Sequence, residues 1–271
     1  MTMLDLGPED SLYYEWTPPS TAGAPSFVFI NPITGDTSLW NAAVIPAVKS
    51  AGFGVLAYDF RGQTGSRFKP GRTLDADLIV DDLKALVRHV APENPILVGL
   101  SIGGLYAARA VLDGLDTAGL VLINTLRRIT PRIQWMNDAS LRVMQVGGPN
   151  LMKDLYFHLL VGEPFQEANR AAFLADDPDY TPLDPNSGAA NLVTYMGATS
   201  WDVDWSKLEL PVLSVTGLQD RVFYDADIVN ELYATLPDAR RVDLADAGHM
   251  VPAETPDALV DALKAFAAEI A

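Results

Sequence analysis

The six residues Gly99-Leu100-Ser101-Ile102-Gly103-Gly104 follow the apolar run Pro95-Ile96-Leu97-Val98 and open the small-residue stretch Leu105–Ala110. One serine with a glycine two residues before it and another two residues after it, set between a strand and a helix, has the spacing of a nucleophile elbow. Side chains at the glycine positions would strike neighbouring backbone in so sharp a turn. The turn exposes the hydroxyl and aims the helix N-terminus, with its unpaired N–H groups, at an oxyanion forming nearby. Such a serine needs a base, an acid to hold the base, and oxyanion donors. The base is read as His249, in Asp246-Ala247-Gly248-His249, just past the last strand. The acid is read as Asp220, in Gly217-Leu218-Gln219-Asp220, directly beyond the strand Val212–Thr216. Asp225 reads instead as a helix cap, and Asp246 as a loop residue bonding backbone. The donors are the N–H of Ile102 and, in the loop Asn31-Pro32-Ile33-Thr34, that of Ile33, because Pro32 has no N–H. His89, at a helix C-terminus, reads as structural, and His158 as packed or on the surface.

These residues need elements to hold them. Strand-like runs at Leu12–Trp16, Phe27–Ile30, Gly54–Tyr58, Ile96–Leu100, Gly119–Ile123, Val212–Thr216 and Arg241–Leu244 alternate with helix-patterned segments. The helical segments are Leu39–Ser50, Leu74–His89, Ile102–Asp113, Ala226–Leu236 and Pro256–Ile270. That alternation predicts a largely parallel sheet with helices on both faces. Ser101, Asp220 and His249 all fall just beyond strand ends, where side chains from successive strands converge on one crevice. Between Arg127 and Trp205 the strand rhythm stops. Ile133–Val146, Asn150–Val161, Pro164–Ala175 and Ala189–Ala198 read as helices, broken at Gly147-Gly148-Pro149 and at the Pro- and Asp-rich run 176–185. The expected organisation is a core over 1–126, a helical cap over 127–205, and the rest of the core over 206–271.

Composition narrows the function classes. The chain of 271 residues carries 19 basic against 35 acidic residues, a formal net charge of −16 that repels polyanions and argues against nucleic acid as a partner. With no cysteine, disulfides, thiolate metal sites and a cysteine nucleophile are excluded, and three histidines are too few for a multi-histidine metal site. Nothing in the sequence suggests a metal or an organic cofactor, and no G-x-G-x-x-G follows the first strands. The acidic N-terminus, 1–10, lacks the basic and apolar regions of a signal peptide, and no apolar run reaches membrane-spanning length. A soluble cytoplasmic protein acting on a small molecule is the expectation; the residues set no oligomeric state.

The order Ser101…Asp220…His249, the elbow 99–103, the loop Asp59–Ser66 and the tail His249–Pro252 resemble the α/β-hydrolase superfamily, most of all its capped esterase, C–C hydrolase and cofactor-free haloperoxidase branches. The resemblance implies an eight-stranded, mostly parallel sheet with an inserted helical cap. It departs from the family at Asn31-Pro32, where His-Gly is usual. Serine at the elbow disfavours dehalogenase and epoxide hydrolase chemistry, which use aspartate there. The resemblance implies hydrolysis of an ester or lactone, with C–C cleavage of a diketone-type acid, or a non-catalytic ligand-binding role, as alternatives. The Asp59–Ser66 loop reads as a brace. In the cap, most aromatic and Met side chains pack helices onto the core, and Trp135, Tyr156 and Met196 are candidates to face substrate. Arg127, Arg128 and Arg132 cluster where the chain leaves Gly119–Ile123. They read first as a solvated patch and second, for Arg127 and Arg128, as receivers of a substrate carboxylate.

Overall fold

The computed structural model describes residues 2–270. Eight strands form one sheet: β1 (Thr2–Gly7), β2 (Asp10–Thr17), β3 (Ser26–Ile30), β4 (Gly54–Tyr58), β5 (Pro95–Leu100), β6 (Gly119–Ile123), β7 (Val212–Gly217) and β8 (Ala239–Leu244). Their spatial order is β1-β2-β4-β3-β5-β6-β7-β8; β2 pairs antiparallel with both β1 and β4, and all other neighbours are parallel. Every residue of β3, β4, β6 and β7 is buried, as expected of strands covered on both faces. Alternation then sorts these apolar runs into two cores. Val28, Leu56, Leu97 and Leu120 join the helices Ala76–Val90, Ile102–Leu112 and Ala226–Tyr233 on one face. Phe27, Val55, Val98 and Val121 join Val44–Ser50 and Pro256–Glu269 on the other.

β1 is the strand that the residue pattern did not reveal. Its six residues are exposed or half-buried, so it carries little of the apolar signal of an interior strand, and it hydrogen-bonds only to β2 as an edge. The helix expected over Leu39–Ser50 is two, Ser38–Asn41 and Val44–Ser50. Pro46 has no N–H to give the Ala42 carbonyl, which breaks a continuous ladder. Between β6 and β7 no strand forms among the described residues. The span Pro131–Leu160 bends at Gly148 (φ 63°, ψ −160°), followed by Pro149, where two helices were expected. Glu163–Phe173 and Gly188–Gly197 follow. Helix starts carry the capping residues their sequences supply: the side chains of Asp75, Thr130 and Asp225 accept the N–H groups of Leu78, Ile133 and Ile228. Among the described residues no helix is long and apolar enough to cross a membrane.

Register brings the carboxyl ends of the parallel strands level. Ile30 pairs with Gly99, Leu100 with Ile123, Ile123 with Val215, and Gly217 with Leu244. The loops carrying residues 31–37, 101, 124–127, 218–223 and 245–250 therefore leave the same rim.

Candidate active site

The elbow is built by close approach of backbone. A Cβ on Gly99 would lie 2.3 Å from the Gly104 nitrogen, and one on Gly103 would lie 2.4 Å from the Ile30 carbonyl oxygen, so neither position accepts a side chain. Between them Ser101 is held at φ 58°, ψ −120°, a conformation that costs a non-glycine residue roughly 1–3 kcal/mol and persists only where its surroundings enforce it. Part of that enforcement is the Ser101 N–H, which donates to the Ile123 carbonyl at 2.8 Å.

Asp220 and His249 meet: His249 Nδ1 lies 2.6 Å from Asp220 Oδ2, with both residues buried. The other carboxylate oxygen of Asp220 accepts the N–H groups of Val222 and Phe223, each at 2.9 Å. Burial pushes this carboxyl up, but His249 and the two N–H donors outweigh it and hold it below the usual carboxylate range. Asp220 thus stays ionised and fixes the ring orientation. Asp246 is exposed, and Asp225 is the cap that its place in the sequence indicated.

Three groups that the sequence reading overlooked hold the histidine loop. Asn124, at φ 48°, donates Nδ2 to the carbonyls of Gly248 (3.0 Å) and His249 (2.9 Å) and accepts the Gly217 N–H at 2.8 Å. It pins the ends of β6 and β7 to the loop after β8. Glu254 accepts the N–H groups of Gly248 and Met250 at 2.8 Å and of Gly162 at 2.6 Å, while burial raises its own pKa. The Leu160 carbonyl, at the end of a helix between β6 and β7, accepts the His249 N–H at 2.5 Å. An asparagine directly after a strand was the one available signal among these.

The departure at Asn31-Pro32 is absorbed by polar bracing. Buried Asn31 donates Nδ2 to the Tyr58 carbonyl (2.9 Å) and Gln63 Oε1 (3.0 Å), and its Oδ1 accepts Trp40 Nε1 at 2.9 Å. Asp59 accepts the N–H groups of Thr37 (2.8 Å) and Gly65 (2.9 Å), while Arg61 bonds Asp82 twice, at 2.7 and 2.6 Å. The Asp59–Ser66 segment is thus a brace beneath the 31–37 loop. Ile33 is half-buried in that loop, and Ile102 is the first residue of its helix, whose N–H has no acceptor within the helix.

The arginines separate. Arg128 is exposed and paired with Glu231 at 2.5 and 2.7 Å, and Arg132 is exposed on the Arg221 carbonyl at 3.3 Å, so both are surface groups as first read. Arg127, read first as part of the same solvated patch, is instead 4% exposed and donates Nη2 to Ser101 Oγ at 2.5 Å. Its guanidinium carbon lies 3.9 Å from the ring centre of Trp201 and 4.3 Å from that of Phe223, and the Phe223 ring centre lies 4.9 Å from that of His249. One cluster of side chains therefore joins Ser101, Arg127, Phe223, His249 and Asp220. No hydrogen bond links the Ser101 hydroxyl to the imidazole; its partner is Arg127.

The remaining candidates lie on the helices between β6 and β7. Trp135 is 78% exposed and lines a surface hollow with Pro131, Gln134 and Asp138. Tyr156 is half-buried in Pro131–Leu160, and the Met196 side chain lies outside the described residues. His158, exposed, borders a cavity of about 310 Å³ lined by Phe157, Phe165 and Phe173, which includes none of Ser101, Asp220 or His249. His89 lies near a helix C-terminus, its Nε2 3.3 Å from the Tyr14 hydroxyl. Among the described residues no three His, Asp or Glu side chains gather as a metal site.

The sheet order, the elbow and the rim loops agree with the family comparison, in which the alpha/beta hydrolase family matches residues 27–262. The chain belongs to the α/β hydrolase family. This α/β hydrolase is 27% identical over 213 residues to the AB hydrolase superfamily protein YisY of Bacillus subtilis, covering 73% of this chain and 75% of that one. In structure it is similar to a thermophilic esterase from Thermogutta terrifontis (TM-score 0.80, 22% identity, 99% of this chain and 97% of that one). It is also similar to the enol-lactonase from Burkholderia xenovorans (TM-score 0.76, 23% identity, 95% and 96%).

Proposed function

We propose that this α/β hydrolase cleaves a carboxylic ester or lactone of a small to medium, partly apolar substrate through an acyl-enzyme on Ser101. The observation that carries the reading is the buried His249–Asp220 pair, 2.6 Å apart, on the same rim as a serine held at φ 58°. The esterase and the enol-lactonase among the structural neighbours support the same bond classes.

The chemistry follows from the parts. Rotation of the Ser101 side chain moves its hydroxyl from Arg127 to the imidazole, whose Nδ1 is engaged by Asp220. As Oγ adds to the carbonyl carbon, its proton passes to Nε2, and the N–H groups of Ile102 and Ile33 receive the oxyanion. The adduct collapses by breaking the C–O bond, and the imidazolium returns its proton to the leaving oxygen. A water molecule then repeats the sequence, releasing the carboxylate and restoring Ser101. Asp220 stays ionised throughout and stabilises the imidazolium. Residues 127–205 act as a cap over the rim, with Trp201 and Tyr156 among the groups that shape the acyl pocket.

A second reading, C–C cleavage of a diketone-type acid, is favoured by one observation, the cation beside the nucleophile. A fluorophosphonate probe and a substrate panel test both. Labelling at Ser101 with faster turnover of p-nitrophenyl esters or lactones supports the first reading, and faster turnover of a ring-cleavage dienoate supports the second. Folded protein that is not labelled and turns over neither class is a ligand-binding member of the family.

A further inference from the structure

Arg127 is a buried cation without an anion. Its Nη2 donates to Ser101 Oγ at 2.5 Å, its Nε is buried with no partner, and no carboxylate among the described residues forms an ion pair with it. Asp220, whose charge acts on it, is committed to His249, Val222 and Phe223. The Trp201 and Phe223 rings lie within 3.9 and 4.3 Å of the guanidinium carbon, and its Nη2 is directed to the serine. An isolated buried charge is among the most costly groups a protein retains, and a paired anion offsets that cost. Burial pushes this guanidinium down to about 9, which leaves it protonated at neutral pH but poorly compensated.

We propose that Arg127 is the binding group for a substrate carboxylate, so that the lactones or esters this enzyme prefers carry a carboxylate a few bonds from the scissile carbonyl. The inference rests on the hydrolase reading above for the bond cleaved. The spacing comes from geometry: a group paired with the N–H edge that now reaches Ser101 Oγ lies within a few ångström of the nucleophile. A carboxylate seated there takes the Nη2 donor from the serine, which releases the hydroxyl to the imidazole. Binding of the acidic substrate and assembly of the nucleophile–base pair are then one event. Trp201 belongs to the segment between β6 and β7, in the stretch after the helix Gly188–Gly197, and Phe223 to the sheet rim, so the carboxylate site is shared between the two regions.

The test compares wild type, Arg127→Met and Arg127→Lys on γ-butyrolactone-γ-carboxylate and on γ-valerolactone, which has a methyl in place of the carboxylate. The ratio of kcat/KM for the acidic over the neutral lactone is expected to fall about 30-fold in Arg127→Met, as loss of a charge-assisted bidentate contact implies, and less in Arg127→Lys. Calorimetric titration with succinate should show wild-type binding weakened by a similar factor in Arg127→Met. Thermal melting should show Arg127→Met at least as stable as wild type, because an apolar side chain of similar length replaces an uncompensated charge. An unchanged lactone ratio, or equal succinate affinity in all three proteins, overturns the proposal. So does a destabilised Arg127→Met with an unchanged ratio, which would make the residue a packing element. If neither lactone is opened and the fluorophosphonate leaves Ser101 unlabelled, the hydrolase reading fails, and the succinate titration still decides the carboxylate site.

Discussion

The helix Ala76–Val90 buries seven of its fifteen residues against the sheet, whereas Glu163–Phe173, between β6 and β7, buries none of its eleven. Of the eight large apolar side chains left exposed among the described residues, six lie between β6 and β7: Trp135, Val146, Leu155, Leu174, Tyr180 and Tyr195. The sheet and its flanking helices are held by burial, at roughly 1.5–3 kcal/mol for each large apolar side chain. The segment between β6 and β7 sends Leu192 and Trp205 into the core and otherwise adds a small aromatic cluster and polar ties. Phe157 stacks on Phe173 at 4.7 Å with Phe165 edge-on to both. The ties run to the loops of the site itself. Leu159 and Leu160 carbonyls accept the N–H groups of Arg221 and His249, Glu254 accepts the Gly162 N–H, and Gln219 accepts the Glu163 N–H. The difference teaches where sequence can change without loss of fold: the stretch Glu163–Phe173 is fastened to the rim loops and adds no buried residue to the core, which the segment joins farther along, at Leu192 and Trp205.

The largest effect belongs to the sheet rim. Ser101→Ala should lower turnover of the best ester by about four orders of magnitude or more while leaving stability within about 1 kcal/mol, as kinetics and urea titration would show. Retained turnover would detach the chemistry from the elbow. Next comes Gly99→Ala, whose Cβ would press on backbone at 2.3–2.4 Å; a loss of about 3 kcal/mol in urea unfolding is expected, and none would mean that the rim is pliant.

Glu254→Gln tests the ties. Oε2 of this side chain accepts Gly162 and Gly248 while Oε1 accepts Met250, and an amide nitrogen cannot replace an acceptor, so about 1–3 kcal/mol should be lost. The same residue shapes the pH response. Burial raises the carboxyls of Glu254, Asp59 and Asp82, so the folded state binds more protons than the unfolded state between the ordinary and the raised values. Stability contributed by these groups grows as pH falls from neutral through that window. Asp220 is lowered and acts oppositely, losing its contribution only as pH drops below the ordinary carboxylate range. The melting temperature should therefore rise on mild acidification and fall on strong acidification, with a shallower rise in Glu254→Gln; a monotonic fall from neutral pH would contradict the assignment. The smallest effect is expected of Trp135→Ala. At 78% exposure this change should shift stability by no more than about 0.5 kcal/mol, and a loss of several kcal/mol would show that the segment is built like the core after all.

Legibility followed the same division. The interior strands declare themselves because each is a short apolar run bounded by turn residues, and β1 does not because an exposed edge strand carries no such run. The elbow was readable because glycine spacing is itself the steric requirement. Asn124 and Glu254 were not, since an asparagine or glutamate takes its meaning from which distant N–H and carbonyl groups it meets.

Local chemistry written along the chain thus determined the strand-and-helix alternation, the turn that presents Ser101, and the positions of Asp220 and His249 just past strand ends. Arg127 and Arg128 mark what it left open. They are adjacent and of one type, yet one is buried against Ser101 and the other is paired with Glu231 in solvent. Only the parallel pairing of β5 with β6, which sets Leu100 beside Ile123, brings Arg127 to a serine 26 residues away. Side-chain periodicity is a property of neighbours in sequence, whereas the environment that makes a charge functional is assembled from strands, loops and rings that meet only on folding.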